Sequence, residues 1–284
     1  MSNEKKKNII RLVLAVAAVL IGYFVYQGYR YEGTDDASVQ AHTLMLSARI
    51  GGTVEKVLVD ENDKVKAGQL LAQIDSQDST NSYNQAAADV ESVAADYQQA
   101  AQDYQRVAKL FKEEAVSQQQ LDAASARYRG LGQRLKAAQS KADQAKLNLS
   151  YTQITAPEDG AIAKRSAEAG MVVPQGQALF GFVGGKERWI TANFKETQLH
   201  RLQPGQKVEV EVDALPRKKF EGEVDGFSSS TGSTFTLLPP DNSTGNFTKV
   251  VQRVGVKIKL LELTPADIDR LQAGLSAVVS VKIH

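Results

Sequence analysis

Hydrophobic positions fall into three regimes along the chain, and the first is a continuous apolar run. Leu12 to Tyr26, broken only by Gly22, follows Lys5, Lys6, Lys7 and Arg11. With Asn8, Ile9 and Ile10, and with Arg11 extending outward, the run reaches the ~20 residues that cross a bilayer as a helix. Tyr23, Tyr26, Tyr29 and Tyr31 gather at its far end, where aromatic rings favour the lipid–water boundary. Basic residues precede the run and Asp35-Asp36 follow it, which predicts a cytoplasmic N-terminus and an exported body. No small-x-small cleavage site follows, so residues 1–30 read as a retained anchor rather than a removed signal peptide. There is no second long apolar run, so the chain is not expected to form a transmembrane pore itself.

The second regime is strand-like and occurs twice. A shift of 108 positions places Ala48 on Ala156, Gly52 on Gly160, Val54 on Ile162 and Val65 on Val173. Gly68 falls on Gly176, Gln69 on Gln177 and Leu71 on Leu179. Leu46–Asp75 and Ile154–Val183 each read as a short β-hairpin, with Val54, Val57, Val59, Leu71 and Ile74 at strand positions of the first. Gly51-Gly52 and Asn62-Asp63 supply turns. One such hairpin cannot bury a core. Two facing copies can, as a small flattened barrel or sandwich similar to the two halves of a lipoyl or biotinyl domain.

The third regime separates the two copies. Tyr83, Ala86, Val90, Val93, Tyr97, Ala100, Tyr104, Val107 and Phe111 advance in steps of three and four. So do Leu121, Ala124, Tyr128, Leu131, Leu135, Ala138, Ala142, Ala145 and Leu149. Each run carries the seam of a coiled coil over about four heptads. Gly130 and Gly132 are expected to weaken the second helix locally. The break near Glu113–Ser117 is short, so the helices fold back antiparallel. At 1.5 Å per residue each helix is roughly 50 Å long. Each has one narrow seam, enough for one partner helix.

After Glu187 the pattern returns to period two. Val208, Val210 and Val212 alternate with Glu209, Glu211 and Asp213, and Val254, Val256, Ile258 and Leu260 do the same. Val279, Val281 and Ile283 form a last strand, so no fourth, membrane-proximal domain is expected after it. Thr264–Ala273 predicts a short helix with Pro265 just inside and Gly274 just beyond it. Ser228 to Thr248 is too polar for a core and long for a simple turn. It reads either as a functional loop or as a solvated loop. Trp189 is expected in the core or lining of this β domain, and His42 and His200 at the surface or an interface.

Composition narrows the chemistry. Lys+Arg 34 against Asp+Glu 33 leaves a net charge of +1, which removes the electrostatic basis for nucleic-acid binding. With Cys 0 there is no disulfide, thiol nucleophile or thiolate metal site. The 3 histidines are scattered without ligand spacing. No catalytic constellation, metal site or cofactor site is expected. A lipoyl-type carrier lysine is not expected either: the junction where it would sit is filled by the helical insert, and Asp63-Lys64 aligns with Met171-Val172.

The anchor, the split lipoyl-like repeat and the inserted hairpin together resemble the periplasmic adaptor, or membrane fusion protein, family. Trp189-Ile190-Thr191-Ala192-Asn193-Phe194-Lys195-Glu196 and Pro204-Gly205-Gln206-Lys207-Val208 fit it. Thr34-Asp35-Asp36-Ala37, Pro239-Pro240-Asp241-Asn242, the stretch Gly245 to Arg253 and Gly274 to Val278 resemble its EmrA-like, hemolysin-D-type branch. The resemblance implies an elongated, multidomain α+β chain. Its parts are a tip and anchor (1–30), a linker and strand (31–45), lipoyl-like half 1 (46–75), the coiled-coil α-hairpin (76–150), lipoyl-like half 2 (151–184) and an antiparallel β-barrel domain (185–284).

It also implies a role. The chain would join an inner-membrane exporter, of major-facilitator type, to a TolC-like outer-membrane channel, with copies self-associating into a ring or tube in the periplasm of a Gram-negative bacterium. An adaptor for an ATP-driven secretion or peptide-export machine is the alternative; those usually carry a longer hairpin. Arg106, Leu110 and Ser117 match the spacing of the family's channel-docking tip, and Arg106 and Leu110 share a helix face off the seam. Ser117 also reads as an N-cap completed by Gln120. The expected seam includes Val90, Val93, Tyr97, Tyr104, Val107, Leu121, Tyr128, Leu131 and Leu135. Phe235, Pro239, Asn242, Asn246 and Arg253 are candidates for an exporter-facing or substrate-path loop.

Overall fold

A computed structural model describes residues 30–231 and 251–283. The chain divides into two compact units, one of Thr43–Val183 and the other of the segments before and after it.

In the Thr43–Val183 unit, eight strands and two helices follow one another: β2 (Thr43–Ser47), β3 (Gly52–Val57), β4 (Lys64–Val65), β5 (Leu70–Ile74), α1 (Gln77–Lys112), α2 (Gln118–Ser150), β6 (Gln153–Thr155), β7 (Gly160–Arg165), β8 (Val172–Val173) and β9 (Ala178–Gly184, whose last residue begins the other unit). β1 (Tyr31–Gln40) precedes them in the other unit. Two four-stranded sheets form, in the orders β2-β9-β7-β4 and β6-β5-β3-β8. The halves are therefore not self-contained hairpins. Each lends strands to the other's sheet: β3 pairs with β8 and β4 with β7.

The repeat is visible in individual hydrogen bonds. Ala48 N donates to Gln177 O at 2.9 Å, and its counterpart Ala156 N donates to Gln69 O at 3.0 Å. Gly68 N reaches Ala156 O and Gly176 N reaches Ala48 O, both at 2.8 Å. The shared glycines have reasons. Gly68 and Gly176 adopt φ of 77° and 88°, open to glycine at little cost. A Cβ on Gly52 would lie 2.6 Å from Ile74 Cγ2, and one on Gly160 2.3 Å from Val183 O. Val54, Leu71, Ile74, Ile162, Leu179 and Phe180 are fully buried in the common core.

α1 has 36 residues and α2 has 33, about 54 and 50 Å long. Along α1, Ala86, Val93 and Ala100 are buried at seven-residue spacing, and Ala138 is buried on α2. Val90, Tyr97, Tyr104, Val107, Leu121, Tyr128, Leu131 and Leu135 are each half-buried. Gly132 is no mere weak point, because a Cβ there would come within 3.2 Å of the Tyr97 ring. Gly130 faces open space.

In the second unit β1 is joined by β10 (Trp189–Lys195), a 3-10 helix (Glu196–Arg201), β11 (Lys207–Val212), β12 (Lys219–Thr231), β13 (Arg253–Leu260), α3 (Pro265–Arg270) and β14 (Ser276–Lys282). The strands pair in the cyclic order β1-β10-β13-β12-β11-β14, and β14 returns to β1. The stretch 31–45, expected as a linker with a strand, thus supplies a whole barrel strand and most of β2. Alternation sends Val39, Ile190, Phe194, Val210, Ile258 and Val279 inward. Thr264 caps α3, and its Oγ1 donates to Asp267 Oδ2 at 2.6 Å. Lys218 Nζ also donates to Asp267. These bonds, the lysine's foremost, hold the Asp267 carboxyl down to about 2.

Trp189 is half-buried on the barrel exterior rather than in its core. His42 tilts against it at 5.0 Å between ring centres, and Lys257 Nζ stands 5.5 Å above the ring. The anchor expected over residues 1–30 lies outside the described residues except for Arg30, and no helix among the described residues is long and apolar enough to cross a membrane.

Candidate docking surfaces

Two places gather the predicted site residues. The first is the turn between α1 and α2. α1 ends in a Schellman motif: Ala115 N donates to Leu110 O at 3.0 Å and Glu114 N to Phe111 O at 3.0 Å. The left-handed position is held by Glu114 at φ 57°, where glycine is usual. Three residues later Ser117 caps α2, its Oγ accepting from Gln120 N at 3.3 Å while Gln120 Oε1 accepts from Ser117 N at 3.0 Å. Both sides of the turn are thus fixed by their own hydrogen bonds.

On this frame Arg106 is exposed and pairs with Asp103 one turn back, at 3.4 Å. Leu110 is half-buried, one turn beyond Arg106 and off the line of Tyr104, Val107 and Phe111. Ser117 is exposed. The capping bonds use its Oγ as an acceptor and leave the hydroxyl proton for another partner.

Below the tip the seam carries an aromatic stack. Tyr128 lies between Tyr97 (5.1 Å, 20°) and Tyr104 (5.5 Å, 6°). The Tyr97 and Tyr128 hydroxyls bond to each other at 2.9 Å. That bond, with burial adding to it, raises the Tyr97 pKa.

The second place is on the barrel, where the sequence offered Arg253. Asp36, Asn193 and Arg253 converge there from three distant segments. Arg253 Nη1 donates to Asp36 Oδ2, and Asn193 Nδ2 donates to Asp36 Oδ1 at 3.1 Å. Thr34 Oγ1 donates to Asn193 O at 2.9 Å. Gln198 and Arg201 reach Glu32 at 2.8 and 2.7 Å beside them. A cleft of about 320 Å³ opens here, lined in part by Asp35, Lys195, Gln198 and Arg253. Phe235, Pro239, Asn242 and Asn246 lie outside the described residues. Thr34–Ala37 and Trp189–Glu196 stand far apart in the sequence, and no local spacing joins Asp36 to Asn193 or to Arg253.

A shallow exterior trough of about 520 Å³ runs beside it, between Trp189 and Phe227 over Gly255. No group of His, Asp and Glu suited to a metal ion occurs among the described residues.

Comparison with known proteins decides the family. Residues 42–183 match the model of the RND MFP barrel-sandwich hybrid domain, and residues 188–233 that of the CusB-like β-barrel domain. The chain is 32% identical to a multidrug export protein EmrA of Haemophilus influenzae, over 97% of this chain and 82% of that one. The chain belongs to the membrane fusion protein family. This membrane fusion protein is also 33% identical to the fatty acid resistance protein FarA of Neisseria gonorrhoeae, over 87% of this chain and 75% of that one. Its fold is similar to that of the membrane fusion protein Spr0693 from Streptococcus pneumoniae (TM-score 0.65, 17% identity, covering 89% and 99% of the two chains). A MacA-MexA chimera carrying the Pseudomonas aeruginosa MexA α-hairpin domain gives a TM-score of 0.63 at 23% identity, over 90% and 82% of the chains. Members of this family are adaptors and not enzymes.

Proposed function

We propose that this chain is the periplasmic adaptor subunit of a tripartite multidrug efflux system. Residues 1–30 anchor it in the inner membrane with the body in the periplasm. The exporter is of the major-facilitator type, and the α1–α2 turn meets a TolC-like outer-membrane channel through Arg106, Leu110 and Ser117. Several copies form a ring or tube, and the exporter supplies the energy. The barrel, with Arg253 and the segment 232–250, faces the exporter.

The observation that carries this reading is a long two-helix hairpin inserted between the two related halves of a small β platform, in a chain similar along its length to a multidrug export protein. The long rod with both ends of its turn capped suits a mechanical link, since a fraying tip could not hold a docking residue in place. Drug susceptibility of a deletion strain tests the role, measured alone and with the neighbouring exporter removed. The two deletions are expected to sensitise cells to the same compounds without adding to each other. Unchanged susceptibility refutes the efflux role. Loss of a secreted protein or peptide instead of drug resistance points to an ATP-driven partner.

A further inference from the structure

Little chain separates the proposed anchor from the barrel. The apolar run ends at Tyr26 and β1 starts at Tyr31. The barrel already holds Arg30, whose carbonyl accepts from Ile283 N at 2.9 Å. Five steps of at most ~3.5 Å put Tyr31 within about 17 Å of the edge of the hydrocarbon. The headgroup layer fills roughly the first 5–7 Å of that gap. One rim of the barrel is therefore tethered close to the lipid surface.

Strand register sets the outward side chains of that rim. Tyr31 pairs with Lys282. The register that puts Val208 opposite Val281 brings Lys207 beside Lys282, and Lys207 pairs in turn with Glu223. Val208 and Val281 point inward, so Tyr31, Lys282 and Lys207 face out. Tyr31 is 37% exposed, Lys207 is exposed and Lys282 is half-buried. Two lysines side by side on neighbouring strands repel each other. Among the described residues neither makes an ion pair. Glu223 stands instead with Oε1 over Gly205, 3.5 Å from where a Cβ would lie. The next row away from the rim is acidic: Glu209 lies between Ser280 and Glu221, and Lys219 pairs with Glu209. The three rim residues thus close the anchor end of a trough of about 480 Å³, with unanswered positive charge nearest the tether and negative charge behind it.

We infer that Lys207 and Lys282, with Tyr31 beside them, rest on the bilayer and bind the phosphates of anionic phospholipids in its periplasmic leaflet. An extended lysine brings its ammonium within a Debye length, about 8 Å, of the headgroups. A phosphate between the two lysines relieves their repulsion, and the Tyr31 ring suits the lipid–water boundary. The acidic row behind is repelled by the same lipids, so the barrel stands on this rim rather than lying along its side. In the cyclic strand order β1 and β14 lie across the barrel from the β12–β13 connection, so lipid under one side leaves the other free for the exporter. This contact deepens the proposed adaptor role and rests on its membrane anchor.

The chain has no cysteine, so a dye on an introduced one marks a single place. Gln203→Cys, exposed just before β11, reports from the rim, and Ala214→Cys, exposed just after β11, from the barrel's other end. Each full-length chain is labelled and placed in phosphatidylcholine nanodiscs containing a small fraction of spin-labelled phosphatidylglycerol or spin-labelled phosphatidylcholine. At Gln203→Cys, quenching by the anionic lipid is expected to exceed that by the zwitterionic one about threefold. At Ala214→Cys both are weak. Lys207→Gln with Lys282→Gln, or about 0.5 M salt, is expected to bring the ratio close to one. Glu223→Gln removes the one carboxylate of the rim row and is expected to raise the ratio, which a structural role for the lysines does not do. Equal quenching by the two lipids, or a ratio that the paired lysine substitution leaves unchanged, overturns the inference and leaves the anchor and the efflux role standing. No rise with Glu223→Gln also overturns it, whatever the paired substitution does to folding. A chain that alkaline carbonate strips from membranes refutes the anchor, and the lipid contact falls with it.

Discussion

Gly160→Ala tests the close packing of the repeated platform. A Cβ at this position would lie 2.3 Å from the carbonyl oxygen of Val183 and 2.5 Å from Cζ of Phe182. Ordinary contact begins above 3 Å, so two neighbours must each retreat by most of an ångström. Neither is free to do so. Val183 is held in β9 by its register with Thr43, and Phe182 is 1% exposed in the core. Overpacking of this kind costs about 3 kcal/mol, the upper part of the usual range. At roughly 3–4 °C per kcal/mol for a unit of this size, the melting temperature should fall by about 10 °C. The assay separates the units without cutting the chain. Helix ellipticity follows the unit that holds α1 and α2, and the chain has 1 tryptophan, Trp189, in the barrel. The expected result is a drop in the helix transition with Trp189 fluorescence melting where it did before. A helix transition within 2 °C of the unsubstituted protein would refute the close approach, and an equal fall in both signals would refute independent units.

Three further outcomes are expected. Leu110→Asp should abolish drug resistance while expression, membrane attachment and the helix melting temperature stay near wild type, since an acid in the last turn of a helix costs at most about 1 kcal/mol; retained resistance refutes the docking role. Glu114→Gly should stabilise the hairpin by roughly 0.5–1 kcal/mol, because glycine occupies φ 57° without the Cβ penalty, seen as slower hydrogen exchange at Glu113–Ala115. Asp267 titrates lower in the folded barrel, about 2, than in the unfolded chain, so its stabilisation is full above about pH 4 and is lost as pH falls through 2; between those values the Trp189 transition of Asp267→Asn should shift less than that of the unsubstituted protein.

Much of this was legible because the informative patterns are local. The seam follows from spacing alone, and the repeat survives in sequence because paired positions share one environment: Ala48 and Ala156 are 1% and 2% exposed, and Leu71 and Leu179 are both 0%. What was not legible depends on partners far along the chain. Periodicity marks β3 and β7 as strands, but not that each pairs with a two-residue strand of the other half. Gly132 looks like a helix defect until the Tyr97 ring is placed beside it. Trp189 is expected in the core or lining of the β domain. It alternates instead with the inward Ile190, and it is covered by His42 from the connection after β1 and by Lys257 from β13. Asp36, Asn193 and Arg253 lie 157 and 217 positions apart, beyond any local signal.

That last cluster occupies a place where the backbone alone does not close the barrel. The β1–β10 ladder covers only Ala37 to Gln40, and β1 shifts register against β14 between Thr34 and Ala37. Nothing in the ladder then ties the first half of β1 to Asn193–Lys195. Side chains do so instead: Thr34 to the Asn193 carbonyl, Asp36 to Asn193 and Arg253, Glu32 to Gln198 and Arg201. Each partly exposed pair is worth only about 0–1 kcal/mol, but together they replace bonds that a continuous ladder would supply. The gap lies at the start of β1, just after the apolar run, and at the start of β13, just after segment 232–250. A join made of side chains can be released and remade without unpairing strands, whereas a ladder cannot.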